Sequence, residues 1–209
     1  MASENKLDFK LYLVTDRKQT LTGTLTEVIE KALKAGVKAV QLREKDLNGR
    51  ELFQLAYEIR QLTKEYGAKL FINERADIAL AVNADGVQLG ENSIPVHEVR
   101  KIIGDKKLIG VSCHGEESAL NAEKTGANFI VFGPVYDTPS KAPFGHPLGI
   151  EKLNSVAKRI VVPIIAIGGI KKNNIQEIVK NGASGVAMIS AIISAPDPYE
   201  EASEILRHL

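Results

Sequence analysis

The sequence has no tryptophan, a single cysteine and no excess of charge of either sign. Each shortage excludes something. The one cysteine, Cys113, cannot close an intramolecular disulfide, which fits a reducing, cytoplasmic setting. Lys and Arg number 27 against 26 Asp and Glu, a formal net charge of +1. No broad basic field follows from that balance, so nucleic acid is not an expected partner. Six Phe, five Tyr and no Trp also leave little for a base-stacking surface. No apolar run approaches the roughly 18 residues of a membrane span, so no membrane partner is expected. The opening segment MASENKLDFK lacks the apolar stretch of a signal peptide, and the expectation is again a cytoplasmic protein. Finally, the residues after the first apolar run, DRKQTLTGT, contain no G-x-G-x-x-G turn of an open dinucleotide-binding sheet.

What is present is a repeated alternation. At 209 residues and 44% hydrophobic content the chain can bury one substantial core. Eight short apolar runs recur: KLYLVTD, AVQLRE, KLFINE, GVQLG, LIGVSCH, FIVFGPVY, PIIAIGG and GVAMISAI, the last covering 185–192. Segments of helical period separate them. In ELFQLAYEIRQLTKEYG, the residues Leu52, Leu55, Ala56, Ile59, Leu62 and Tyr66 share one face, with Asn48 and Glu51 in capping-box spacing before them. Gly36, Gly67, Gly104, Gly126 and Gly182 stand where helices should end. Strands that alternate with helices imply a parallel sheet, because parallel neighbours need a crossover. Eight units predict an α/β fold, a (β/α)8 TIM barrel formed by residues 1–209 as one domain.

In such a barrel the chemistry lies at the C-terminal strand ends. Polar residues collect there in this sequence: Gln41, Arg43 and Lys45, then Asn73 and Glu74, then Gln88, Gly90 and Ser93, then Ser112 and His114. Alternation places Gln41, Arg43 and Lys45 on one face, the pore. Ser112 and His114 share a face, while Cys113 points to the helices as a packed apolar residue. Gly168 and Gly169 after the seventh run, with Ser190 after the eighth, suit a phosphate held by backbone N–H groups. Thr138, Ser140 and Lys141 form a second anion site in a proline-rich loop that reads as a lid.

Taken together, QLREK, DIAL, ADGVQLG, GVSCH, FGPVYDTPSK, VPIIAIGG and GVAMISAI resemble the thiamine phosphate synthase/TenI superfamily over nearly the whole chain. The resemblance implies the TIM barrel, a homodimer and small-molecule phosphate ligands: thiazole phosphate, pyrimidine pyrophosphate and thiamine phosphate. It assigns Gln41, Arg43, Lys45 and Asn73 to the pyrimidine pyrophosphate. Ser112, Thr138, Ser140 and Lys141 complete the pocket, with Gln88 beside them. Gly169, Ile189 and Ser190, with Gly168, take the thiazole phosphate. His114, Ser112 and Lys141 are the catalytic candidates.

Two positions depart from the synthase pattern. Synthases carry Mg²⁺-binding aspartates where this chain has Glu74 and Ser93, so one carboxylate is lengthened and the other lost. The TenI branch works without metal, and Gln88 also resembles that branch, whereas QLREK and TPSK resemble the synthases. The first reading is therefore a metal-free thiazole tautomerase in which His114 moves a proton. The alternative is a synthase using Mg²⁺ at Glu74 and Ser93 to couple the pyrimidine pyrophosphate to thiazole phosphate. A third reading is a non-catalytic thiazole phosphate binder.

Overall fold

Strands that bury both faces must be covered on both, which short apolar runs linked by amphipathic helices achieve by closing on themselves. The computed structural model describes residues 7–138 and 146–209. Its strands are β1 (Leu11–Val14), β2 (Ala39–Leu42), β3 (Lys69–Asn73), β4 (Gly86–Leu89), β5 (Leu108–Cys113), β6 (Phe129–Phe132), β7 (Ile164–Ile167) and β8 (Gly185–Met188). All neighbours are parallel, in sequence order, and β8 pairs with β1 to close the barrel. The predicted TIM barrel is the observed fold. Helices α1 (Leu25–Lys34), α2 (Gly49–Glu65), α3 (Ala76–Ala81), α4 (Val96–Ile103), α5 (Glu116–Lys124), α6 (Gly149–Ala157) and α7 (Ile175–Lys180) follow the first seven strands. After β8 come a one-turn helix, α8 (Ser190–Ile193), and α9 (Pro198–Arg207).

Local signals explain these elements. Asn48 accepts from the backbone N–H groups of Arg50 and Glu51, and Glu51 returns a bond to Asn48, so the capping box that opens α2 forms as expected. Leu52, Ala56 and Ile59 are its buried face. The strands end earlier than the apolar runs do. In FIVFGPVY the regular strand ends at Phe132, because Pro134 has no N–H for the ladder, although Val135 N still donates to Ile167 O at 2.9 Å. GVAMISAI is not strand throughout: β8 ends at Met188, and the chain turns helical at Ser190.

The alternation produces two cores. Outward residues such as Leu13, Val40, Leu70, Val87, Ile109, Ile130, Ala166 and Val186 pack under the helices. Inside the barrel, Phe9, Tyr12, Phe71 and Phe129 form a plug in which every pair of rings is in contact, at centroid distances from 5.3 to 5.9 Å. Most of these contacts are edge-to-face, the arrangement favoured by ring quadrupoles. Glycines make room for it. A Cβ on Gly86 would lie 2.8 Å from the Phe71 ring, and one on Gly110 would lie 2.4 Å from the Phe129 ring. The plug seals the N-terminal part of the pore and leaves the C-terminal mouth to polar residues.

Candidate active site

Above the rings the inward positions turn polar. Gln41 and Gln88 are 4% and 1% exposed, so each amide needs a partner inside the barrel. Gln41 Nε2 donates to Asn73 Oδ1 at 3.0 Å, and Gln88 Nε2 donates to Ser112 Oγ at 3.1 Å. Parallel pairing sets Asn73 beside Gln88 in register. The Tyr12 hydroxyl reaches Gln88 Oε1 at 3.5 Å, and burial raises its pKa well above the ordinary value, so it stays a donor. A donor at Gln88 Oε1 and an acceptor at Nε2 set the amide in one orientation. Ser112 Oγ thus accepts from below and can give its own hydrogen to a group in the mouth.

The loop after β3 carries the altered pair. Glu74 adopts φ 61°, a left-handed conformation uncommon for a residue with a Cβ. The tight turn that imposes it bonds Arg75 N to Asn73 O at 2.8 Å. Ser93 Oγ donates to Glu74 Oε1 at 3.0 Å and accepts from Gly90 N at 2.7 Å. The two positions singled out in the sequence therefore meet. Neighbouring Asp77 is bound by Arg75, whose guanidinium lowers its pKa. Among the described residues no three His, Cys, Asp or Glu side chains gather as a metal cage. The pair offers one carboxylate and one hydroxyl.

His114, just past β5, is exposed, and its Nδ1 lies 2.5 Å from the Gly133 carbonyl. A carbonyl only accepts, so Nδ1 carries the hydrogen and Nε2 of the neutral ring is an acceptor. Cys113 packs in the outer core, as alternation predicts, and burial pushes its thiol up to about 12.

On the opposite arc, Gly168 and Gly169 have φ of 96° and 64°. A Cβ on Gly169 would stand 2.5 Å from Asp137 O and 2.7 Å from Tyr136 Cβ, so the loop after β6 lies directly over this turn. That loop is tied down by Tyr136 OH, which donates to Glu177 Oε2 at 2.6 Å, and the turn beneath it by Asn174 Nδ2, which donates to Gly169 O at 3.2 Å. Burial, then the Glu177 acceptor, pushes the Tyr136 hydroxyl up to about 12. Ile189 and Ser190 stand at the start of α8 on the same side of the mouth. Thr138 is half-buried, while Ser140 and Lys141 lie outside the described residues, as does most of the expected lid.

One expectation needs correction. Alternation was to carry Gln41, Arg43 and Lys45 to the pore together. Gln41 does line it, and Arg43 is half-buried at the rim, but β2 ends at Leu42 and Lys45 is exposed in a turn. A two-residue period holds only as long as the ladder does.

Sequence reasoning also passed over a buried carboxylate. Glu44, between Arg43 and Lys45, has a side chain only 2% exposed. It accepts from Thr15 Oγ1 at 2.7 Å, from Arg17 N at 3.1 Å and from Arg17 Nη1 at 3.0 Å. Arg17 also binds Asp46 through both terminal nitrogens. Parity gives little signal here, because β2 ends at Leu42; the bonds to Thr15 and Arg17 are what bury Glu44.

Comparison with known proteins finds relatives over nearly the whole chain. Residues 11–192 match the family model described as thiamine monophosphate synthase. A Geobacter sulfurreducens protein whose name places it with the thiamine-phosphate synthases is 54% identical over 201 residues, covering 96% of this chain and 94% of its own. A thiamine-phosphate synthase from Clostridium novyi is 40% identical over 203 residues, covering 97% and 99%. Among solved structures, a thiamine phosphate pyrophosphorylase from Pyrococcus furiosus superposes with a TM-score of 0.87 at 38% identity, covering 96% of this chain and 95% of that one.

Proposed function

This chain belongs to the thiamine monophosphate synthase family, and from that premise we propose that it couples hydroxymethylpyrimidine pyrophosphate to thiazole phosphate, releasing pyrophosphate. The observation that carries the proposal is the division of the mouth into two arcs suited to anions. Arg43 and Asn73 stand on the β2–β3 side, with Lys45 in the turn just beyond and the Glu74 carboxylate placed to take a cation, and the Gly168–Gly169 turn with Ser190 occupies the β7–β8 side. Tautomerising one thiazole phosphate calls for one anion site, whereas joining two phosphorylated halves calls for two. The relatives named as synthases support the same choice over the tautomerase placed first on sequence.

In this reading the pyrimidine lies over the polar floor, its pyrophosphate toward Arg43 and Lys45. The C–O bond to pyrophosphate breaks and its electron pair leaves with the oxygen. The ring nitrogen of the thiazole then gives its lone pair to the pyrimidine methylene carbon, forming the C–N bond. No proton has to move, so the work of the protein is orientation and charge stabilisation. Arg43 and Lys45 meet the charge growing on the leaving group, and the family resemblance would add Lys141 to them. Ser112, already accepting from Gln88, donates its hydroxyl to a substrate oxygen. Gly169, Ile189 and Ser190 hold the thiazole phosphate through backbone N–H groups and a hydroxyl.

Glu74 and Ser93 would hold Mg²⁺. The Ser93 hydroxyl already meets the Glu74 carboxylate, and Mg²⁺ is commonly bound by one or two carboxylates with substrate phosphate oxygens and water completing its shell. When bound, the ion supplies neutralising charge to the departing pyrophosphate.

The test is a titration of the initial rate of thiamine phosphate formation against Mg²⁺. The protein should be inactive in chelator, Glu74→Ala should raise the Mg²⁺ requirement roughly tenfold or more, and Ser93→Asp should lower it. Interconversion of thiazole phosphate tautomers in chelator, lost in His114→Ala, would replace this reading with the tautomerase. Ligand binding with no turnover of either kind would leave only a binder.

A further inference from the structure

Arg43 and Lys45 flank Glu44 in sequence, and a carboxylate between two cations would ordinarily blunt them. The structure removes that problem by turning Glu44 to the other side. Its carboxylate is buried against the loop after β1, where Thr15 Oγ1 donates at 2.7 Å, Arg17 N donates at 3.1 and 3.2 Å to the two oxygens, and Arg17 Nη1 donates at 3.0 Å. The same Thr15 Oγ1 accepts from the backbone N–H of Arg43 at 2.9 Å. Arg17 continues outward to Asp46, at 2.6 and 3.0 Å, and Lys18 joins Asp46 at 2.8 Å. Asp46 is thereby already committed to two cations. Among the described residues neither Arg43 nor Lys45 has an ion-pair partner.

We propose that Glu44 is a positioning residue, whose buried bonds to Thr15 and Arg17 clamp the strand-end backbone that carries Arg43 and Lys45. It keeps both cations aimed at the substrate pyrophosphate while withholding its own charge from them. This rests on the synthase reading, since it needs a pyrophosphate at those cations. The physical case is one of sequestration. A carboxylate with three donors around it, one of them shared between both oxygens, has little capacity left for Arg43 or Lys45, and a clamped backbone spares those long side chains part of the ordering cost of binding an anion. Replacing Glu44 by the isosteric amide leaves the volume but presents an NH₂ to one of these donors, so the bonds to Thr15 and Arg17 cannot all be kept.

The experiment compares Glu44→Gln and Thr15→Val with the wild type in two measurements: KM for each substrate, and binding of inorganic pyrophosphate with Mg²⁺ by calorimetry. Asp85→Asn is the control. It breaks another strand-edge carboxylate, bound to Arg60 and to Leu70 N at the opposite end of the barrel, and reports the effect of lost stability alone. The expected result is a rise of about tenfold in KM for the pyrimidine pyrophosphate, and a matching loss of pyrophosphate affinity, in both site variants. KM for thiazole phosphate should move less than about twofold, and the control should change neither. The proposal is overturned if Glu44→Gln and Thr15→Val keep wild-type pyrophosphate affinity, or if both KM values rise together as in a generally loosened barrel. A wild-type protein that forms no thiamine phosphate from the two substrates overturns the synthase reading itself, and with it this proposal.

Discussion

Three charged or polar residues in this protein behave differently because of where their neighbours put them. Cys113 packs into the apolar layer outside β5, and burial pushes its thiol up to about 12, so that it stays neutral at physiological pH. The expected outcome is slow reaction with a disulfide reagent at about pH 8 in the native state and rapid reaction once denaturant is added; fast labelling of the folded protein would contradict the packing described. Asp46 is the reverse case, an exposed carboxyl held well below the usual range by hydrogen bonds from Arg17 and then Lys18. A lowered folded-state pKa gives stability that is complete above the ordinary aspartate range and drains away as pH falls through the lowered value. Thermal transitions of wild type and Asp46→Asn should therefore differ near pH 6 and converge toward about pH 2. A gap that stays constant with pH would show that Asp46 contributes nothing through its charge. Glu44 was illegible in the sequence for a related reason. Set in QLREK it looks like one more solvated charge, and only the return of the β1 loop, almost thirty positions away, gives it Thr15 and Arg17 as donors.

Elements were easier to read than the bonds between them. All eight strands and the long helix α2 were visible as periodicity, because each had to show one apolar face or two to a core. Strand ends were not, since they depend on where a neighbour stops offering ladder bonds: Lys45 left the pore alignment and Ser190 became helical for that reason. The diglycine after β7 suits a phosphate turn by its place after the seventh run, with Ser190 after the eighth. The structure adds that a Cβ at Gly169 would collide with Tyr136 and Asp137 of the loop above. Gly169→Ala must accommodate both φ 64° and that contact. It should lower stability by roughly 1–3 kcal/mol and raise KM for thiazole phosphate selectively, measured by urea unfolding and steady-state kinetics. A variant with wild-type KM for thiazole phosphate would remove this turn from the phosphate site.

At the scale of the whole molecule, the barrel separates stability from chemistry along its axis. Four interlocked rings fill the N-terminal part of the pore, and the polar floor of Gln41, Asn73, Gln88 and Ser112 begins directly above them. Phe71 touches the other three rings and is fully buried, so Phe71→Ala should cost about 3–5 kcal/mol in equilibrium unfolding; a loss below about 1 kcal/mol would mean the plug is not a rigid core. The open end is where substrate halves can meet, and the two arcs across it are the reason for favouring condensation over rearrangement of a single ligand. The central claim is thus about products. The measurement that tests it most directly incubates the purified protein with hydroxymethylpyrimidine pyrophosphate, thiazole phosphate and Mg²⁺, and quantifies thiamine phosphate and pyrophosphate in the same sample. Equimolar appearance of both, absent when either substrate is withheld, is the predicted result. Thiazole phosphate converted without any pyrophosphate released would contradict it.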